Sequence, residues 1–108
     1  MITVEIRKSN GEYVGFSSKG HAGYAEEGYD FICAAVSVLT VNTINSIEKF
    51  TDDAFKAEAA DGMVRCKFTE LPLSKEANLL MDSLVLGLED IQVNYGKKYI
   101  KIVEKSLT

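Results

Sequence analysis

Two dipeptides constrain the fold of this chain more than anything else in it: Asn10-Gly11 and Asp61-Gly62. Each sits between short runs in which apolar and polar residues alternate. In that position Asn-Gly or Asp-Gly closes a two-residue hairpin, because these residues tolerate positive φ. Before the first turn, Ile2, Val4 and Ile6 share one face of a strand over residues 2–7. After it, Tyr13, Val14 and Phe16 lie on a second strand that ends near Ser18 or Lys19. The second turn joins a strand over 54–60, where Phe55, Ala57 and Ala59 alternate, to one over 63–69 carrying Val64, Cys66 and Phe68.

A helical stripe follows each hairpin. Over residues 31–50, Val36, Leu39, Thr43, Ile47 and Phe50 recur at spacings of three or four, and Asp30 is placed to cap the first turn. Cys33, Thr40 and Ile44 extend one edge of that stripe, so Cys33 is expected to look toward the sheet. Asn42, Asn45, Ser46 and Lys49 fall on the opposite side. Pro72 ends the second hairpin, and Ser74 caps a second helix with the stripe Ala77, Leu80, Met81, Leu84, Leu88 and Ile91. Gly96 ends that helix, and residues 99–104 form a last strand through Ile100 and Ile102. The order β-β-α-β-β-α-β predicts an α+β fold, with two helices packed on one face of a mixed β-sheet. Nothing along the chain marks a linker, so residues 1–108 read as a single domain.

Composition narrows the function classes. The 108 residues are 46% hydrophobic and 26% charged, a globular balance, and the net charge is −4. An acidic chain is a poor partner for a phosphate backbone, and Lys97, Lys98 and Lys101 read as solvated surface rather than a nucleic-acid patch. No apolar run of membrane-spanning length and no signal-peptide profile is read, which predicts a cytoplasmic protein with Cys33 and Cys66 reduced. Phosphate-loop and dinucleotide fingerprints are missing. One His and two Cys give no paired-ligand spacing, so neither a metal nor another cofactor is expected.

The candidate chemistry lies where the second strand gives way to the first helix. His21, the only histidine, precedes Cys33 by twelve residues, across a loop over 20–29 with three glycines and the acidic pair Glu26-Glu27. A thiol and an imidazole are the parts of a nucleophile and its base. With Asp30 as cap, Cys33 falls at the third helical position, where first-turn amides and the helix dipole favour a thiolate and can face an oxyanion. The residues alone leave the plainer readings open: Cys33 as a packed helical cysteine, and His21 as a loop residue bonded to backbone. Cys66, alternating with Val64 and Phe68, reads as core.

The string Gly20-His21-Ala22, then Gly28-Tyr29-Asp30, then Cys33-Ala34-Ala35-Val36-Ser37, resembles the signature of the bacterial ribosomal-processing cysteine protease family. The similarity spans the chain, and each motif position is matched. The resemblance implies an endopeptidase that removes the N-terminal extension of a large-subunit ribosomal protein, cutting after an aromatic pair and before a small residue. It implies Cys33 as nucleophile and His21 as its base, with Gly20, Asp30 and Ser37 as supporting residues, and a homodimer. In that setting Tyr24 and Tyr29 are expected to line an aromatic-accepting pocket, and the loop 20–29 to move as the peptide enters. Two other readings remain: a non-catalytic ribosome-assembly module that binds an extended peptide, and a thiol-dependent small-molecule hydrolase.

Overall fold

The computed structural model describes residues 1–20, 29–95 and 98–106. Seven elements run in the expected order: β1 (Ile2–Ser9), β2 (Glu12–Lys19), α1 (Tyr29–Phe50), β3 (Phe55–Ala60), β4 (Met63–Phe68), α2 (Lys75–Tyr95) and β5 (Ile100–Ser106). The strands form one sheet in the order β3-β4-β2-β1-β5. All neighbours are antiparallel except β5, which runs parallel to β1. Both helices cover the same face. There Ile2, Val4 and Ile6 of β1, Phe16 of β2 and Val64, Cys66 and Phe68 of β4 join Ile32, Val36 and Ile47 of α1 and Met81, Leu84 and Leu88 of α2 in one buried cluster. Each large aliphatic or aromatic side chain so buried contributes about 1.5–3 kcal/mol.

The first turn takes the positive φ that its sequence predicts, 52° at Asn10 and 80° at Gly11. Just beyond it the alternation breaks. Arg7 pairs with Gly15 but Lys8 pairs with Tyr13, which leaves Val14 as the extra residue of a β-bulge. The bulge explains why Tyr13 and Phe16, three apart, are both buried. Tyr13 thereby reaches α2, and its hydroxyl donates to Asp82 Oδ1 at 2.5 Å. Burial and that carboxylate push the Tyr13 phenol well above its usual range.

Three expectations about caps and stripes need correction. First, α1 begins at Tyr29, so Asp30 is its second residue and not its cap. An aspartate is also favoured inside a first turn by the helix dipole, and preference alone does not separate the two positions. Second, Phe50 leaves the core stripe and is 69% exposed, because Ile47 is the last side chain of α1 that the sheet covers. Third, Ala57 and Ala59 alternate as expected, yet both are exposed although their β4 partners Cys66 and Val64 are buried. The helix layer stops at β4.

α1 is also apolar enough to span a bilayer by length and composition, with a mean hydropathy of 1.4 over Phe31–Phe50, which corrects the expectation that no apolar run reaches that length. Here its stripe is used against the sheet. Its buried threonines are satisfied within the helix, Thr40 donating to the Val36 carbonyl at 2.9 Å and Thr43 to that of Leu39 at 2.7 Å.

Asp53 fastens the end of α1 to the start of α2. Its carboxylate accepts the Ser74 amide at 2.8 Å and the Ser74 hydroxyl, while Ser74 Oγ accepts the Ala77 amide at 3.0 Å, so Ser74 is the expected cap. Burial alone would raise the Asp53 carboxyl, but the bonds from Ser74 and Thr51 outweigh it and hold it below its ordinary value. A lowered folded pKa stabilises above the unfolded value, and that contribution is lost as pH falls through the folded one. Asp53→Asn is therefore expected to cost about 1–2 kcal/mol in urea unfolding at neutral pH. The gap should close as pH falls below the ordinary aspartate value and through the lower folded one; a gap that does not change with pH would contradict this account.

Candidate active site

The β2–β4 pairing builds the site. Register Ser18↔Val64 and Lys19↔Met63 sets the end of β2 beside the start of β4. β2 then ends in Gly20, whose N–H donates to the Gly62 carbonyl of the β3–β4 turn at 3.0 Å. Gly20 has φ +152°, and a Cβ there would lie 2.8 Å from both Ile2 Cα and the Met1 carbonyl oxygen. Only glycine lets the end of β2 pass this close to the first residues of β1. His21 is therefore joined to a backbone position fixed from two sides.

α1 lies over this junction. Cys33 and Ser37, one turn apart, line a small cleft of about 70 Å³ with Ile2, Ser18, Gly20 and Met63 among the facing residues. Cys33 is half-buried and Cys66 fully buried, and neither is in a disulfide. Burial pushes the Cys66 thiol up to about 11, which leaves it inert near neutrality. Because α1 starts at Tyr29, Cys33 is its fifth residue, just past the unpaired amides of the first turn and not among them as expected.

Of the residues singled out by sequence, Cys33, Ser37 and Gly20 come together in this cleft. Tyr29 and Asp30 open α1, but their side chains, like His21, Tyr24 and the remainder of the loop, lie outside the described residues. Ile2, Ser18, Ala60, Gly62 and Met63 also line the cleft and were not foreseen. Their arrival depends on which strands pair across the sheet, a long-range fact that no local pattern encodes. Ser18 left one faint signal: a polar residue on the buried face of a strand, opposite Val4.

Larger depressions lie elsewhere. One of about 430 Å³ sits by Phe50, Asp53 and Ser74, and one of about 510 Å³ runs between the helices by Phe31, Leu39 and Tyr95. Neither holds a cysteine, so chemistry and not size marks the Cys33 cleft. Among the described residues, no three His, Cys, Asp or Glu side chains gather as metal ligands.

A half-buried cysteine near the start of a helix, facing a cleft built from a hairpin end and a turn, is the framework of a small α+β thiol peptidase. Comparison with known proteins agrees. The family model of the cysteine protease Prp matches residues 1–101. The ribosomal processing cysteine protease Prp of Bacillus subtilis (strain 168) is 27% identical over 101 residues, covering 88% of this chain and 90% of the relative. Among solved structures, a ribosomal processing protease Prp from S. aureus in complex with a substrate peptide superposes with a TM-score of 0.89 at 25% identity. The match covers 97% of this chain and 100% of that one. A second structure of Prp from S. aureus, in complex with a covalently linked product peptide, gives 0.84 at 26% identity over 97% and 100%. The chain belongs to the cysteine protease Prp family, and the relative from Bacillus subtilis is named a ribosomal processing cysteine protease.

The geometry at Gly20 makes a direct prediction. Gly20→Ala, with backbone in the way of its Cβ, should lower stability by about 1–3 kcal/mol. Gly11→Ala, whose Cβ would meet nothing within 4 Å, should cost only the roughly 1 kcal/mol of its positive φ. Equal thermal shifts in the two variants would contradict the close approach.

Proposed function

We propose that this chain is an endopeptidase that removes the N-terminal extension of a large-subunit ribosomal protein, using Cys33 as nucleophile and His21 as its base. The observation that carries this reading is the cleft itself: Cys33 lines it together with Gly20, the residue bonded to His21. His21 takes the thiol proton and the Cys33 sulfur attacks the scissile carbonyl. As the tetrahedral intermediate collapses to a thioester, His21 gives that proton to the leaving amine. Water, deprotonated by His21, then hydrolyses the thioester and restores the thiol. Ser37, one turn beyond Cys33, supplies a hydroxyl at the same cleft, and Asp30 stands in the first turn of the same helix.

The cleft's size supports one feature of the expected substrate. A cavity that takes a benzene ring is about 150 Å³. The space beside Cys33 is about 70 Å³, which suits the small residue after the scissile bond. The aromatic pair before the bond belongs to a separate subsite, for which Tyr24 and Tyr29 remain the candidates.

We place the enzyme in the cytoplasm, where its thiol stays reduced, acting as one domain without direct contact to nucleic acid. It acts as a homodimer, a reading supported by the exposed apolar Phe31 and Val38 beside the groove between the helices. A monomeric sedimentation coefficient at micromolar concentration would remove that part.

Mass spectrometry of the extension peptide incubated with wild type, Cys33→Ala and His21→Ala tests the reaction. One cut after the aromatic pair is expected, lost in Cys33→Ala and slowed at least a hundredfold in His21→Ala, roughly the worth of a general base. Binding without cleavage by wild type would make the chain a peptide-binding assembly module instead. Neither would point to small-molecule thiol chemistry.

A further inference from the structure

The sheet has two edges, and they differ. β5 ends one side and carries Lys101, Glu104 and Lys105, charges that commonly guard an edge against pairing. None of its residues lines the Cys33 cleft, whereas β3, at the other edge, ends in Ala60, which does. Among the described residues, β3 pairs with β4 alone.

The register identifies which backbone groups β3 leaves open. Phe55 pairs with Phe68, so Ala54 and Thr69 are directly opposite, and the Thr69 N–H donates to the Ala54 carbonyl at 3.0 Å. Residue 54 is thus a hydrogen-bonded position, and residues 56, 58 and 60 follow it by the two-residue period of the strand. The N–H and C=O groups of Ala57 and Ala59 point the other way, off the sheet. The side chains leave room as well. Ala57 and Ala59 are small, exposed and uncovered by helix, and Glu58 is drawn toward β4 by Arg65 at 3.0 Å.

We propose that the free edge of β3 receives the substrate polypeptide as an added strand, held by the main-chain groups of Ala57 and Ala59, and leads it past Ala60 into the Cys33 cleft. This deepens the protease reading and rests on it. The occupant is an extended polypeptide segment flanking the scissile bond. An added strand lies about 4.8 Å from β3 and is recognised through its backbone, so the edge tolerates varied side chains along the extension. Sequence preference is then left to the cleft and to the aromatic subsite.

Proline tests the edge, because at positions 57 and 59 it removes an outward N–H without breaking a bond to β4. Ala57→Pro and Ala59→Pro are compared with Ala57→Thr and Ala59→Thr, which keep the N–H, and each variant is checked for native circular dichroism. With the extension peptide, each proline variant should raise KM by roughly tenfold, the worth of one or two hydrogen bonds, with kcat within about twofold. The threonine variants should match wild type. Proline variants that cleave like wild type would overturn the proposal while leaving the protease reading intact. So would proline variants that dissociate a dimer in sedimentation velocity, since the edge would then belong to a second copy. A second measurement does not need cleavage. In Cys33→Ala, the Ala57 and Ala59 amides should become protected from hydrogen exchange when the peptide is added. No added protection under saturating peptide would overturn the proposal whatever the activity.

Discussion

β2 and β4 are separated in sequence by the whole of α1 and β3, and their pairing is the constraint on which the rest of this structure depends. It turns two local hairpins into one sheet. It also delivers Gly62 and Met63 to the end of β2, where Gly20 closes the junction with a hydrogen bond to Gly62. α1 can then lie across both hairpins, with Val36 buried and Cys33 and Ser37 at the margin over the junction. The cleft is the space left where a helix crosses the seam between two hairpins. Loosening the seam would take away one wall of the site together with stability, so fold and site are coupled through the same backbone contacts.

The two cysteines occupy different environments in this architecture. Cys66 alternates inward from β4 into the core, where burial disfavours its thiolate. Cys33 stands one turn before Val36 on α1 but rotated toward the margin, half in contact with the core and half at the cleft. The proposed reaction would use that intermediate position: enough burial to fix the sulfur, enough access for a peptide carbonyl. The membership of the chain in the cysteine protease Prp family fits a thiol placed in this way.

Much of the fold was legible because its signals are local. Asn10-Gly11, Asp61-Gly62, Ser74 and the α2 stripe each declare an element without reference to anything distant, and each element appears where its signal lies. The failures share a cause. The bulge at Val14 breaks the strand period, and the sequence places Tyr13, Val14 and Phe16 only on one strand without saying which faces they take. Asp30 suits both the cap and the first turn, and sequence preference does not choose between them. Phe50 and Ala57 are exposed because of where the layers end, which no stripe records. For the site, Cys33, Ser37 and Gly20 were legible through the motif. Ser18, Gly62 and Met63 were not, because they come to the Cys33 cleft only through nonlocal pairing.

The central claim is that Cys33 is a nucleophile activated by His21, and alkylation kinetics address it most directly. Iodoacetamide reacts with the native enzyme across pH, modified residues are located by mass spectrometry, and His21→Ala is treated alike. The account predicts that Cys33 is modified at neutral pH faster than free cysteine while Cys66 stays untouched. It also predicts that the neutral-pH rate drops in His21→Ala. A Cys33 rate that rises only near pH 8.5, the ordinary thiol value of about 8.5, identically in both proteins, would contradict it.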